Sequence, residues 1–221
     1  MQTFATPAPV TAVVTVPAGR IHFTAAAGRE DTTVEIRPAD PAKGRDVKLA
    51  AQVTAAYSDG VLRVTAPAGN RVLGSSGAVE VTVQLPAGSR VEAKTASAQF
   101  TTEGPLGDVT FDSAQATVSV GQAATVRVSV VDGDVTVGRL GGDAEIRTVK
   151  GDIKVAEAAG GTVVLRTEAG SVTVGAAAGV SAALDAGTTV GRIRNTLANA
   201  GAPALTIQAT TTVGDITASS L

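Results

Sequence analysis

The sequence predicts an all-β protein whose second half winds into a parallel β-solenoid. Three observations carry that expectation: a Gly-Asp-(Val or Ile) motif that keeps returning, apolar columns that return with it about every 18 residues, and a core composition dominated by Ala and Val.

Hydrophobic residues make up 44% of the 221-residue chain, yet they include only four Phe, one Tyr and no Trp. A thin, regular core of small and β-branched side chains fits this better than an aromatic-centred globule, because Val, Ile and Thr suit the pleated surface of a strand. The 25 glycines suit many tight turns and few long helices. Net charge is −2, and no cluster of Lys and Arg is interleaved with aromatics, which argues against a nucleic-acid partner. The chain has no cysteine, hence no disulfide and no thiolate metal site. Met1 is followed by neither a basic nor an apolar leader region, and no stretch approaches the ~18 apolar residues of a membrane span. As written, the chain is expected in the cytoplasm.

The repeat reads Gly107-Asp108-Val109-Thr110-Phe111, Gly133-Asp134-Val135-Thr136-Val137, Gly151-Asp152-Ile153-Lys154-Val155 and Gly214-Asp215-Ile216-Thr217-Ala218, with looser copies at Gly170 and Gly191. Aligning two strands per unit gives one column of Val91, Val109, Val126, Ala144, Val163, Ala182 and Leu205. A second holds Phe100, Val118, Val135, Ile153, Val172, Ile193 and Ile216, spaced by 18, 17, 18, 19, 21 and 23 residues. Within each strand apolar and polar residues alternate, the period of two that turns one face inward. A hairpin meander would not need the equivalent strand to return at a near-constant interval. The reading is therefore a solenoid of about seven coils, right-handed, over residues 91–221, with a small third corner at Ala123, Leu140, Ala158, Ala177 and Leu197.

Residues 1–90 are organised differently and predict a β-rich cap, continuous with the solenoid as one folding unit. Val14-Thr15-Val16-Pro17-Ala18-Gly19-Arg20-Ile21 recurs at Val64 to Val72 and at Val81 to Val91, each reading as strand, Pro-Ala-Gly turn, strand. Ser58-Asp59-Gly60 is a turn between two strand-like runs, and Pro38 to Arg45 is a loop. Such a cap would cover an open sheet edge that otherwise recruits other chains.

The Gly-Asp-(Val/Ile)-x-(Val/Phe) units of residues 91–221, preceded by Val81-Thr82-Val83-Gln84-Leu85-Pro86-Ala87-Gly88, resemble the bacterial putative-adhesin β-strand-repeat family, a domain of unknown function grouped with the toastrack domains. Val34-Glu35-Ile36-Arg37-Pro38 and the Asp59-Gly60 turn extend the likeness into the first half. The resemblance implies a β-solenoid and a role in envelope-stress sensing or protein assembly, and it brings no catalytic residue with it.

Read residue by residue, the chain offers little chemistry. His22, the only histidine, is flanked by Ile21 and Phe23 and so faces outward, and one imidazole builds neither a triad nor a metal set. Asp134, Asp152 and Asp215 read as turn residues, since Ser171 and Arg192 replace Asp in the same column and the nine-residue rhythm of calcium β-rolls is missing. The outward row Thr101, Ser119, Thr136, Lys154, Thr173, Arg194, Thr217 resembles the Thr ladders of ice-binding solenoids, but Lys154 and Arg194 interrupt it. A carbohydrate-active β-helix is the alternative, although no outward column collects two acids on adjacent coils. No catalytic, cofactor or metal residue is expected.

The expected function is a non-catalytic scaffold or interaction module with a protein partner or a second copy. Lys94 over Asp112 and Arg166 over Asp185 are expected stacked pairs, and the like-charged neighbours Arg147 and Arg166 form a candidate contact for an acidic partner. Leu205, Ile207 and Ile216 mark the final unit, which is expected to present an uncovered coil for self-association.

Overall fold

In the computed structural model, which describes residues 1–67 and 77–221, nearly all regular structure is strand. β1 (Gln2–Ala5), β2 (Thr11–Thr15), β3 (Ala18–Ala26) and β4 (Asp31–Pro38) lead to helix α1 (Gly44–Gln52). β5 (Thr54–Ser58), β6 (Val61–Thr65) and β7 (Val79–Pro86) follow, then β8 (Arg90–Asp132), which stays extended around successive corners. The chain continues through β9 (Val135–Leu140), β10 (Ala144–Lys150), β11 (Ile153–Ala158), β12 (Gly161–Arg166) and β13 (Val172–Ala176). It ends in β14 (Ala182–Val190), β15 (Ile193–Thr196), β16 (Leu205–Val213) and β17 (Ile216–Ser220).

Equivalent strands stack parallel and in register, the pairing that defines a parallel β-solenoid. On one face β6 pairs with β2, β2 with residues 90–94 of β8, the end of β8 with β10, and β10 with β12. On the other face β7 pairs with β3, β3 with residues 97–103, residues 118–123 with β9, β9 with β11, and β11 with β13. The parallel columns therefore begin at β6 and β7 and run through residue 90 without interruption. Inside, Ile21, Phe100, Val118, Val135, Ile153 and Val172 are all buried. Three of the four Phe cluster in the core: Phe23, Phe100 and Phe111 have ring centroids 6.0 and 4.5 Å apart in turn. The third corner forms with Ala123, Leu140 and Ala158 buried, but Ala176 rather than Ala177 takes the next place, after a one-residue irregularity.

The order of the last two coils differs from the order in sequence. β12 pairs with β16, and β16 with β14; β13 pairs with β17, and β17 with β15. The coil of Leu205 and Ile216 thus sits between its two predecessors, and the coil of residues 182–196 is the outermost. Its side chains explain the exchange. Asn195 occupies the position held by Val155 and Val174, and an amide buried there without partners would cost about 1–3 kcal/mol. At the end of the stack Asn195 is exposed, and its Oδ1 accepts the Leu197 N–H at 3.0 Å. Leu205, Ile207, Ala209, Ile216 and Ala218 are apolar throughout and completely buried in the inner place. The β12–β16 register also slips by two residues, Val163 meeting Ile207 rather than Leu205, a shift that keeps every side chain on its own face.

The other end has the same exchange and a cover besides. The coil of β2 and β3 is held between that of β6 and β7 and the start of β8. β5 then pairs antiparallel with β6 through the expected two-residue turn, Asp59 and Gly60 at φ 52° and 77°. β4 lies antiparallel along β7, and β1 along β4. Helix α1, which alternation did not announce, begins inside the expected loop at Gly44. Its buried Asp46 accepts the Ala78 N–H at 3.0 Å. The expected Pro-Ala-Gly turn after Pro67 lies outside the described residues.

Two outcomes test this arrangement. Ile153→Ala should destabilise the protein by about 2–5 kcal/mol, and the adjacent outward Lys154→Ala by about 0.5 kcal/mol or less, in denaturant melts. Because the chain has no cysteine, a Thr173→Cys, Thr217→Cys pair, in register on adjacent strands about 4.8 Å apart, should oxidise to an intramolecular disulfide. The Thr173→Cys, Arg194→Cys pair, two strands apart, should not; the reverse result would restore sequential winding.

Candidate interaction surface

The repeated corner is where successive coils come closest. At Gly151, φ is 141°, and a Cβ built there would stand 2.2 Å from the Gly133 carbonyl oxygen. Only glycine fits both the conformation and the space. Two further kinds of bond to the neighbouring coil close the corners, the carboxylate bond being absent where Ser171 replaces Asp between the Gly170 and Gly214 coils. The Asp134 carboxylate accepts the Asp152 N–H at 2.8 Å, Asp152 accepts that of Ser171 at 2.7 Å, and Asp215 that of Arg192 at 2.9 Å. Inside the corner, Thr167 Oγ1 donates to the Gly151 carbonyl at 3.0 Å, Thr211 to Gly170 at 2.9 Å and Thr188 to Gly214 at 3.0 Å. Sequence reasoning missed these threonines. Their signal was present as Thr-x-x-Gly at Thr148, Thr167, Thr188 and Thr211.

Outward side chains join coil to coil by charge. Arg90 pairs with Asp108, Lys94 with Asp112 at 3.8 Å, Arg127 with Glu145 at 3.4 Å and Arg139 with Glu157 at 2.8 Å. Asp108 also accepts a 2.7 Å bond from Thr125. That hydroxyl first, then the Arg90 guanidinium, holds its carboxyl below the usual carboxylate range. Arg147 and Arg166 are register neighbours, as expected, but Arg147 bonds Glu145 on its own strand. Arg166 lies beside Thr210, not Asp185, because β16 intervenes. Among the described residues no carboxylate comes within ion-pairing distance of Arg166, which is exposed.

Leu205, Ile207 and Ile216 are not at an uncovered end: each is fully buried, with a strand on either side. The edge passes instead to β14 and β15, which among the described residues pair with β16 and β17 alone. Ile193 is 45% exposed there, whereas its equivalents deeper in the stack, Val172 and Ile216, are buried; Val190, 61% exposed, continues an outward position that Val213 also holds. Asp185 faces outward on β14 and Arg194 on β15.

Gathered acid–base or metal chemistry is not found among the described residues. No group of three or more His, Asp or Glu side chains is placed to hold a metal ion. Half-buried His22 has Thr24 Oγ1 3.1 Å from its Nε2. Glu145 meets Val164 on the next coil. A shallow depression of about 360 Å³, lined in part by Ser97, Gln115, Thr117 and Asp132, contains that one carboxylate and no second acid. No helix is long and apolar enough to cross a membrane among the described residues.

Parallel coils locked at Gly-Asp corners, with polar groups turned to joining coil to coil, define a β-solenoid repeat protein. The chain belongs to the Toastrack family, a domain of unknown function (DUF4097), whose model matches residues 18–220. Among solved structures it is similar to a putative adhesin from Bacteroides fragilis, with 16% identity and a TM-score of 0.57 over 98% of this chain and 95% of that one. A putative adhesin from Parabacteroides distasonis aligns at 15% identity and a TM-score of 0.48, covering 100% and 95%. No curated protein matches the sequence.

The Asp108 contacts set a pH dependence. A carboxyl whose folded value is depressed contributes stability above its unfolded value, about 4, and loses it as the pH falls through the folded value. Asp108→Asn should therefore lower Tm near neutral pH and shrink the Tm loss between about pH 5 and pH 2. An unchanged acid profile in thermal melts would show that Asp108 carries none of it.

Proposed function

We propose that this chain is a non-catalytic β-solenoid scaffold whose partner is a protein, most simply a second copy meeting it at the β14–β15 edge. The observation that carries the proposal is the asymmetry of the two ends: antiparallel β4 and β5 cover one, and nothing described covers the other. Unpaired strand edges recruit further strands. The edge carries both signs, Asp185 on one strand and Arg194 on the other, so a two-fold partner can set each against its opposite. Arg192 stands where Asp134, Asp152 and Asp215 receive the next amide, so a coil stacked head to tail would lack that bond and meet a cation instead. This favours a closed pair over an open fibre. The family resemblance supports a link to envelope stress or adhesion-like assembly. The Bacteroides fragilis neighbour is a putative adhesin, which supports action at the cell surface over the cytoplasmic location expected from the sequence.

Light scattering on the intact chain should give twice the monomer mass at high concentration. Val190→Lys with Ile193→Lys should give the monomer with an unchanged melt. Asp185→Arg or Arg194→Asp alone should weaken association and the two together restore it. A monodisperse monomer for the intact chain would overturn self-association, and turnover of an acidic polysaccharide abolished by one carboxylate substitution would overturn the non-catalytic reading.

A further inference from the structure

In a solenoid wound in sequence order, the first and last coils are paired along one edge only, and tension on the chain peels them off one ladder at a time. Here the coil nearest each chain end is gripped on both edges. Toward the C-terminus, the Gly214 and Ile216 N–H groups donate to Val190 and Arg192 on the outer side, both at 2.9 Å. The Val213 and Asp215 carbonyls accept from Gly170 and Val172 on the inner side, also at 2.9 Å. Toward the N-terminus, the Thr11 N–H donates to Gly60 at 2.9 Å on one side, and the Val10 carbonyl accepts from Arg90 at 2.8 Å on the other. The outermost coils are excursions of the chain, returned to the stack at both of their ends.

We infer that this unit is built to carry tension between the segments that enter and leave it, the exchanged coils acting as anchors. Pulling β17 out breaks two ladders together, and removes the strand on which β15 rests. The first failure is then a joint release of both final coils. The inference does not require a second copy at the β14–β15 edge and stands if that reading fails.

The chain has no cysteine, so single exposed cysteines give unique attachment points for pulling one molecule in a force spectrometer. One handle is placed at Thr110→Cys, in the middle of the stack, and the other either at Leu221→Cys, beyond β17, or at Ala200→Cys, in the link between β15 and β16. All three positions are exposed. Circular dichroism and melts matching the intact chain qualify the variants. Load at residue 221 should first rupture at about twice the force needed at residue 200, where β15 peels from a single ladder. The release at residue 221 should come as one step of about 45 residues, on the order of 150 Å of extended chain. Equal forces at the two attachments, or a first step from residue 221 that frees the last coil alone, would overturn the inference.

Discussion

The rest of the fold depends on how close one coil lies to the next at the glycine corner. The carbonyl of each corner stands where a Cβ of the next would have to go: Ala116 against Gly133, Gly133 against Gly151, Gly151 against Gly170, Gly170 against Gly214 and Gly214 against Gly191. That contact places the neighbouring amide over the Asp carboxylate and the glycine carbonyl under the Thr hydroxyl, so two bonds follow from one approach. It also fixes register. With the corner pinned, the inward residues of each strand fall directly over those of the coil before, and the core needs only side chains of matching size.

The same constraint explains why the order of coils was harder to read than their existence. Each inner column was legible from alternation, and Val118, Val135, Ile153 and Val172 stack as the spacing requires. A repeat is bonded through chemistry that every copy shares, so a coil accepts a neighbour from anywhere in the chain, and periodicity alone cannot say which. The information lay in the exceptions. Asn195 in an apolar column, Arg192 in the Asp column, and the longest spacings, 21 and 23 residues, all mark the coil of residues 182–196 as the one fitted to an end. Placing Leu205, Ile207 and Ile216 at the end reads the sequence as though the chain must stop where the stack stops. The expected Arg166–Asp185 pair failed for the same reason, while Lys94–Asp112, away from the exchange, formed.

The first half was legible in its turns and not in its role. Asp59-Gly60 and Pro17-Ala18-Gly19 predicted where the chain bends, because those bends need residues with positive φ or a fixed backbone. Nothing in such a turn says whether the strands beyond it pair parallel with a distant coil or antiparallel with each other. β2 and β3 do the former, β5 and β6 the latter. Gly19, at φ 136° and register-matched to Ala98, is the clue that β3 continues the glycine corner of the solenoid.

The division of labour between the two kinds of polar residue bears on what the molecule can do. Hydroxyls and carboxylates at the corners are committed to backbone groups, and moving any of them would unsatisfy a donor or acceptor in the next coil. The outward charges are not so committed. Exposed pairs such as Arg139–Glu157 contribute little each and serve mainly to disfavour slipped registers. Their columns can therefore change sign without loss of the fold, and an unpaired position such as Arg166 can be turned to a partner at no cost to the corner beneath it. The corners thus hold the stack together, while the outward faces can change without loosening it, which leaves those faces open to recognition along the length of the molecule.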